Sequence, residues 1–183
     1  MFYFQTTNLH KFQEAKIIFE KYGLKLERIP NKYKEIQAES LEDVVIEAIR
    51  EIGKERVFIE DAGLFIDFLN GFPGVYSSYV EKTIGNEGIL KLMKDVKNRN
   101  AKFISVVAFL ESLSPLKIKI FRGEVKGTIS IEKKGKEGFG FDPIFIPLGY
   151  NKTFAEDINL KMKVSHRKKS IEKLARYLEE AYG

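Results

Sequence analysis

MFYFQTTNLHKFQEAKIIFEKYGLKLERI, residues 1–29, decides the fold class. MFYFQ is short, apolar and aromatic, as a buried strand is. Thr6, Thr7 and Asn8 end it. Phe12, Ala15, Phe19 and Tyr22 then recur at helical spacing, and Gly23 stands where a C-cap glycine belongs. LKLERI alternates apolar and polar residues and reads as a second strand. Strand, loop, helix and strand in this order open an α/β protein.

The rest of the chain extends that pattern. Ser40 starts a helix with Asp43 as its capping partner, and Leu41, Val44, Val45, Ala48 and Ile52 form an apolar stripe ended by Gly53. RVFIE is a further strand that runs into DAGL. A helix follows Pro73, and another covers residues 86–95. KFISVVAFLE, LKIKIFRG and EVKGTISI then read as three strands in series, joined by SLSP and around Gly123. Thr153 and Glu156 mark a capped turn. Ser165 caps a long final helix with Ile171, Leu174, Ala175 and Leu178 on one face. Alternation followed by a meander predicts a mixed sheet covered by helices, with ligands at the carboxyl ends of strands. Without repeats or linkers, residues 1–183 form a single domain, either one core or two lobes.

Composition excludes several classes of function. There is no cysteine, so disulfides, thiolate metal sites and cysteine nucleophiles are ruled out. The N-terminal stretch does not read as a secretory signal, and no apolar run approaches the roughly 20 residues that cross a bilayer. A cytoplasmic protein is expected. The net charge of +5 is modest. The basic residues crowd into Lys133–Lys136 and Lys161–Lys169, which suits either a solvated surface or an anionic partner.

Five stretches carry candidate chemistry, each with a plainer alternative. TTNLHK, residues 6–11, joins a strand to a helix N-terminus and adds Lys11, an arrangement suited to an anion or to ordinary N-capping. EDAGL, residues 60–64, places two carboxylates at a predicted strand end. One of them could meet a metal or water in a cleft, or Asp61 and Gly63 could simply form a turn. Glu35 lies in an extended, lysine-flanked stretch and reads on its own as a surface carboxylate. His166 and Arg167 begin a helix, where cations oppose the dipole, so a bound anion, an electron-rich base or solvent must compensate them. GFGFDPIFIP, residues 138–147, is either a bulged strand with core aromatics or an aromatic platform for a flat base.

TTNLHK, EIQAE, EDAGL, GFPGVYSS, GFGFDPIFIP, TFAE and KMKVSHRKK occur in this order over nearly the whole chain. Together they resemble the Ham1 / inosine triphosphate pyrophosphatase family. The resemblance implies an elongated central mixed sheet flanked by helices, with two lobes and a nucleotide-binding cleft. It implies Mg²⁺, a homodimer, and hydrolysis of ITP, dITP and XTP to the monophosphate and pyrophosphate. It puts the phosphate loop on Thr6, Thr7, Asn8 and Lys11. Asp61 becomes the catalytic carboxylate, with Ala62 at the substrate and Glu35 on the metal side. Base recognition falls on Phe139, Gly140, Phe141, Asp142, Lys161, His166 and Arg167.

The chain departs from the family pattern in places. Thr7 stands where a glycine is usual in the phosphate loop, and Ser78-Tyr79 replaces Ala-Arg. A substrate-side lysine has no clean counterpart, Arg50 being the nearest basic residue. Two other readings stay open at this stage. One is a related pyrophosphatase for pyrimidine or modified nucleotides. The other is a basic nucleic-acid-binding module, against which the carboxylates Glu35, Glu60 and Asp61 weigh by repelling a phosphate backbone.

Overall fold

β1 (Phe2–Gln5) pairs in parallel with two neighbours, β2 (Leu26–Ile29) and β3 (Val57–Ile66). α1 (Leu9–Lys21) makes the crossover from β1 to β2. In the computed structural model, which describes residues 1–183, β4 (Asn100–Leu113), β5 (Leu116–Ile129) and β6 (Phe145–Pro147) complete a six-stranded sheet of order β2-β1-β3-β4-β5-β6. β6 runs antiparallel to β5, so the sheet is mixed, as the alternating pattern predicts. The flanking helices are α2 (Leu41–Ile52), α3 (Ser77–Thr83), α4 (Gly85–Leu92), α5 (Ile158–Val164) and α6 (His166–Tyr182). No helix is long and apolar enough to cross a membrane.

The chain forms two compact units, each with its own apolar core. Unit 1 comprises Met1–Asp61, Ser105–Gly123 and Arg167–Gly183. Its core packs Phe2, Phe4, Phe19, Phe58 and Phe109 with Ile171, Leu174 and Leu178 of α6. Phe4 stacks on Phe58 at 4.5 Å between ring centroids. Unit 2 comprises Ala62–Ile104 and Glu124–His166, and its core gathers Leu64, Ile66, Phe103, Phe141, Phe145 and Phe154.

Local caps follow the sequence signals. Asn8 Oδ1 accepts from Lys11 N–H at the start of α1, and Ser40 Oγ accepts from Asp43 N–H at the start of α2. Gly53 ends α2 in the left-handed conformation. Thr153 and Glu156 form a reciprocal capping box, each side chain accepting from the other's N–H at 2.8 and 3.2 Å.

Three expectations are corrected. EDAGL is not a strand end followed by a turn, because β3 continues to Ile66 with Leu64 and Ile66 fully buried. Gly63 serves close approach within that strand. A Cβ there would lie 2.4 Å from the Gly74 carbonyl oxygen. The strands expected on either side of Gly123 are one continuous strand, β5. The stretch before the final helix, not read as helical from sequence, forms the short helix α5, which contains Lys161 and is N-capped by Asp157.

The Gly74 carbonyl gives a direct test of this packing. Gly63→Ala drives a methyl group into backbone that cannot rotate away, so it should destabilise by roughly 1–3 kcal/mol or more. A urea midpoint equal to that of the wild type would refute the close approach.

Candidate active site

In unit 1 the strand–helix junction after β1 is built by local hydrogen bonds. Thr6 is buried and its Oγ1 accepts from Asn8 N–H at 3.1 Å. Asn8 caps α1, and Thr7 is exposed. The usual glycine is thus replaced at a solvent-facing position. Lys11, one turn into α1, extends its ammonium to Glu60 Oε2 at 3.0 Å.

Glu60 and Asp61 are neighbours on β3, so they face opposite sides of the strand. Glu60 is 2% exposed, whereas Asp61 is half-buried. The buried carboxylate is neutralised within the chain. Arg167 Nε lies 3.2 Å from Glu60 Oε2, and Arg167 Nη1 lies 2.9 Å from Glu14 Oε2. Despite the cost of burying the guanidinium, these two carboxylates hold Arg167 firmly in its charged form. The cation at the start of α6 is therefore compensated by carboxylates of the protein itself, and it is buried rather than solvated.

Tyr33 links the remaining carboxylates. Its hydroxyl donates to the Glu60 backbone carbonyl at 3.3 Å. Burial first, then the charges of Asp61, Glu35 and Glu60, push its phenol well above the ordinary tyrosine range. Asp61 and Glu35 thus act on one ring from separate segments, although Glu35 by itself is an exposed loop residue. Asp61 on β3 and Glu35, whose charges both bear on Tyr33, carry oxygen donors of the kind a hard cation takes. No group of three or more His, Cys, Asp or Glu converges to form an all-protein cage. Mg²⁺ is commonly held by one or two carboxylates together with waters and substrate phosphates. Ala62 follows Asp61 and is half-buried.

Unit 2 holds the other candidate residues. Asp142 is 3% exposed; its Oδ2 accepts from Lys161 Nζ at 2.7 Å and from Phe139 N–H at 3.0 Å. Lys161, also buried, stands 4.3 Å from the centre of the Phe139 ring. Gly140 offers its carbonyl to Asn86 Nδ2 at 3.0 Å. Gly138 adopts φ +71°, and a Cβ there would sit 2.2 Å from Asp142 Oδ2, so this glycine is required by the carboxylate it packs against. The two phenylalanines expected to act alike are separated. Phe141 is 4% exposed in the unit 2 core, whereas Phe139 is only half-buried. His166 is buried and stacks on Phe103 with centroids 4.6 Å apart and planes at 12°.

Sequence reading did not single out Glu14, Tyr33, Asn86, Ser105 or Ser170. A polar residue inside an otherwise apolar run was the available signal for Ser105, in KFISVVAFLE. Glu14, three residues beyond Lys11 on α1, could have been found as its neighbour on one helix face.

The sheet order, the flanking helices and the charged junction after β1 define an α/β protein of mixed sheet. The chain belongs to the Ham1 family, whose sequence profile matches residues 2–177. A Methanopyrus kandleri protein named dITP/XTP pyrophosphatase is 48% identical over 178 residues, covering 95% of this chain and 94% of its own. A Pyrococcus horikoshii protein of the same name is 48% identical over 181 residues, covering 97% and 96%. Among solved structures, the Staphylococcus aureus Ham1 protein aligns with a TM-score of 0.81 at 28% identity, covering 99% of this chain and 100% of its own. A HAM1 protein from Coxiella burnetii gives 0.82 at 28%, covering 98% and 100%.

Tyr33 makes the site's electrostatics measurable. In the unfolded chain a tyrosine ionises near pH 10, at about its ordinary pKa. In the fold Tyr33 keeps its proton to higher pH. Its contribution to stability is therefore complete below about pH 10 and is lost as pH rises toward the folded value. Denaturant midpoints at about pH 9 and about pH 11 should fall further in the wild type than in Tyr33→Phe. Equal falls would place Tyr33 away from the carboxylates.

Proposed function

We propose that this protein hydrolyses non-standard purine nucleoside triphosphates, ITP, dITP and XTP, to the nucleoside monophosphate and pyrophosphate. The observation that carries the chemistry is the N–H-rich start of α1 with Lys11, whose ammonium reaches Glu60 on β3 beside Asp61, all in one unit. The substrate class is supported by relatives at 41–48% identity, spanning nearly the whole chain, that bear the name dITP/XTP pyrophosphatase.

On this reading Thr6, Thr7, Asn8 and Lys11 hold the phosphates, through hydroxyls, the helix N-terminus and an ammonium. Asp61 and Glu35 would hold Mg²⁺, and the chemistry it supplies there is neutralisation of charge on the phosphates and the leaving pyrophosphate. Asp61 orients water and takes its proton as the oxygen attacks the α-phosphorus. The α–β phosphoanhydride bond breaks, and pyrophosphate leaves. Positioning and electrostatics provide most of the acceleration, as in other phosphoryl transfers.

We assign base selection to Phe139, Lys161 and His166. Phe139 is an aromatic ring of the kind a flat base stacks on, and Lys161 and His166 carry N–H donors of the kind a purine 6-oxo group accepts. An amino group at the same place leaves such donors unpaired, a mismatch heavily penalised in a desolvated pocket. We place the enzyme in the cytoplasm as a homodimer. The exposed aromatic stretch Phe68, Phe72, Tyr76 and Tyr79 fits self-association.

The assay is release of pyrophosphate from ITP, XTP, GTP, ATP and dTTP, with and without Mg²⁺. Turnover of ITP and XTP should dominate and require the metal. No release from either would sink the proposal, and strong turnover of dTTP alone would favour a pyrimidine enzyme. Asp61→Asn should lose at least about a hundredfold in kcat, the scale of a lost general base, while keeping the wild-type unfolding midpoint. The two phenylalanines should also part company. Phe141→Ala should destabilise by about 3–5 kcal/mol through a core cavity. Phe139→Ala should instead raise KM for ITP and leave the denaturation midpoint nearly unchanged.

A further inference from the structure

The Glu60 carboxylate is the most heavily contacted buried charge of unit 1, yet it takes part in none of the steps above. Its Oε2 accepts from Lys11 Nζ at 3.0 Å and from Arg167 Nε at 3.2 Å. Its Oε1 accepts from Ser105 Oγ at 2.7 Å. Ser105 Oγ is in turn 2.7 Å from Ser170 Oγ, and Ser170 Oγ also reaches the Arg167 carbonyl at 3.1 Å. Both serines are fully buried. An ionised carboxylate only accepts, so the Ser105 proton points to Glu60. The Ser105 oxygen is then an acceptor, and the Ser170 proton is shared between it and the Arg167 carbonyl.

Core packing gives no reason for Ser105. It interrupts an apolar strand between buried Ile104 and Val106, where an unmatched hydroxyl would be unfavourable. Its hydroxyl is matched only because Glu60 and Ser170 are there. The charges are balanced as well. Lys11 and Arg167 face Glu60 and Glu14, so a group of two cations and two anions is assembled from α1, β3 and α6, with Glu60 and Arg167 buried and Lys11 and Glu14 partly so.

We propose that Glu60, oriented by the Ser170–Ser105 hydroxyl pair, is the positioning residue that presents Lys11 to the phosphates. This rests on the reading of Lys11 as a phosphate ligand. A lysine side chain is long and loses much rotamer entropy when fixed. Held beforehand by Glu60, it loses less on binding; of its three donors one goes to the Glu60 carboxylate and one, at 3.5 Å, to the Glu60 backbone carbonyl, which leaves a third for a ligand. Arg167 anchors Glu60 from α6, so the ammonium's place depends on a side chain far from Lys11 in sequence.

The test uses Ser105→Ala, which removes the hydroxyl at little change in volume, and Ser105→Thr, which keeps a hydroxyl and suits a strand. In Ser105→Ala, KM for dITP should rise roughly tenfold, the loss associated with one hydrogen bond to a charged group, with kcat within about threefold of the wild type. Ser105→Thr should restore KM. A merely structural role would lower the folded population instead, reducing apparent kcat at unchanged KM. Two readouts are independent of turnover. Calorimetric affinity for inorganic triphosphate should fall by the same roughly tenfold factor in Ser105→Ala. The Arg167 Nε–H proton resonance, identified by its disappearance in Arg167→Lys, should shift in Ser105→Ala and return in Ser105→Thr. Unchanged KM and triphosphate affinity in folded Ser105→Ala, or an unmoved Arg167 resonance, overturns the proposal. A wild type inactive on every nucleotide removes the proposed function, whereas the triphosphate and resonance measurements still decide the role of Glu60.

Discussion

A carboxylate sealed in the middle of a strand is the constraint to which much of unit 1 answers. Glu60 cannot stay ionised at 2% exposure without partners, because desolvation of a lone charge exceeds any packing gain. Its partners come from three directions: Lys11 on α1, Ser105 on β4 and Arg167 on α6. Arg167, also buried, needs a second anion and finds it in Glu14. One costly residue thus fixes the relative placement of two helices and two strands. It also leaves its neighbour Asp61, on the opposite side of β3, as the carboxylate that solvent can reach.

The same logic appears in unit 2 on a smaller scale. Asp142 and Lys161 are both buried and pair at 2.7 Å. The Asp142 carboxylate also ties down Phe139 N–H and excludes any side chain at Gly138. The ring of Phe139 is held from two sides, by its backbone bond to Asp142 and by the Lys161 ammonium above its face. In each unit a buried ion pair sets the place of a more open group suited to contact a ligand.

Much of this was legible in the chain. β1, α1 and β2 follow from periodicity and caps, which are local properties. The Ser40 N-cap and the Thr153–Glu156 capping box form as their spacing requires. The errors had one physical origin. Gly63 and Gly123 look like turns when only neighbours in sequence are considered, but both lie within strands. For Gly63 the reason is the carbonyl of Gly74, a partner the local pattern cannot show. Phe139 and Phe141 are indistinguishable as letters, and only packing sends one into the core.

The sequence by itself determined the fold class and the family resemblance, because strand and helix periods, caps and ordered motifs are written within short windows. Tertiary structure decided what those residues do for one another. Glu60 and Ser105 are 45 residues apart, Ser105 and Ser170 are 65 apart, and Glu14 and Arg167 are 153 apart. Whether a charge is neutralised, a hydroxyl matched or a ring left open depends on distances in space. Those distances exist only once the sheet has brought β3, β4 and α6 together.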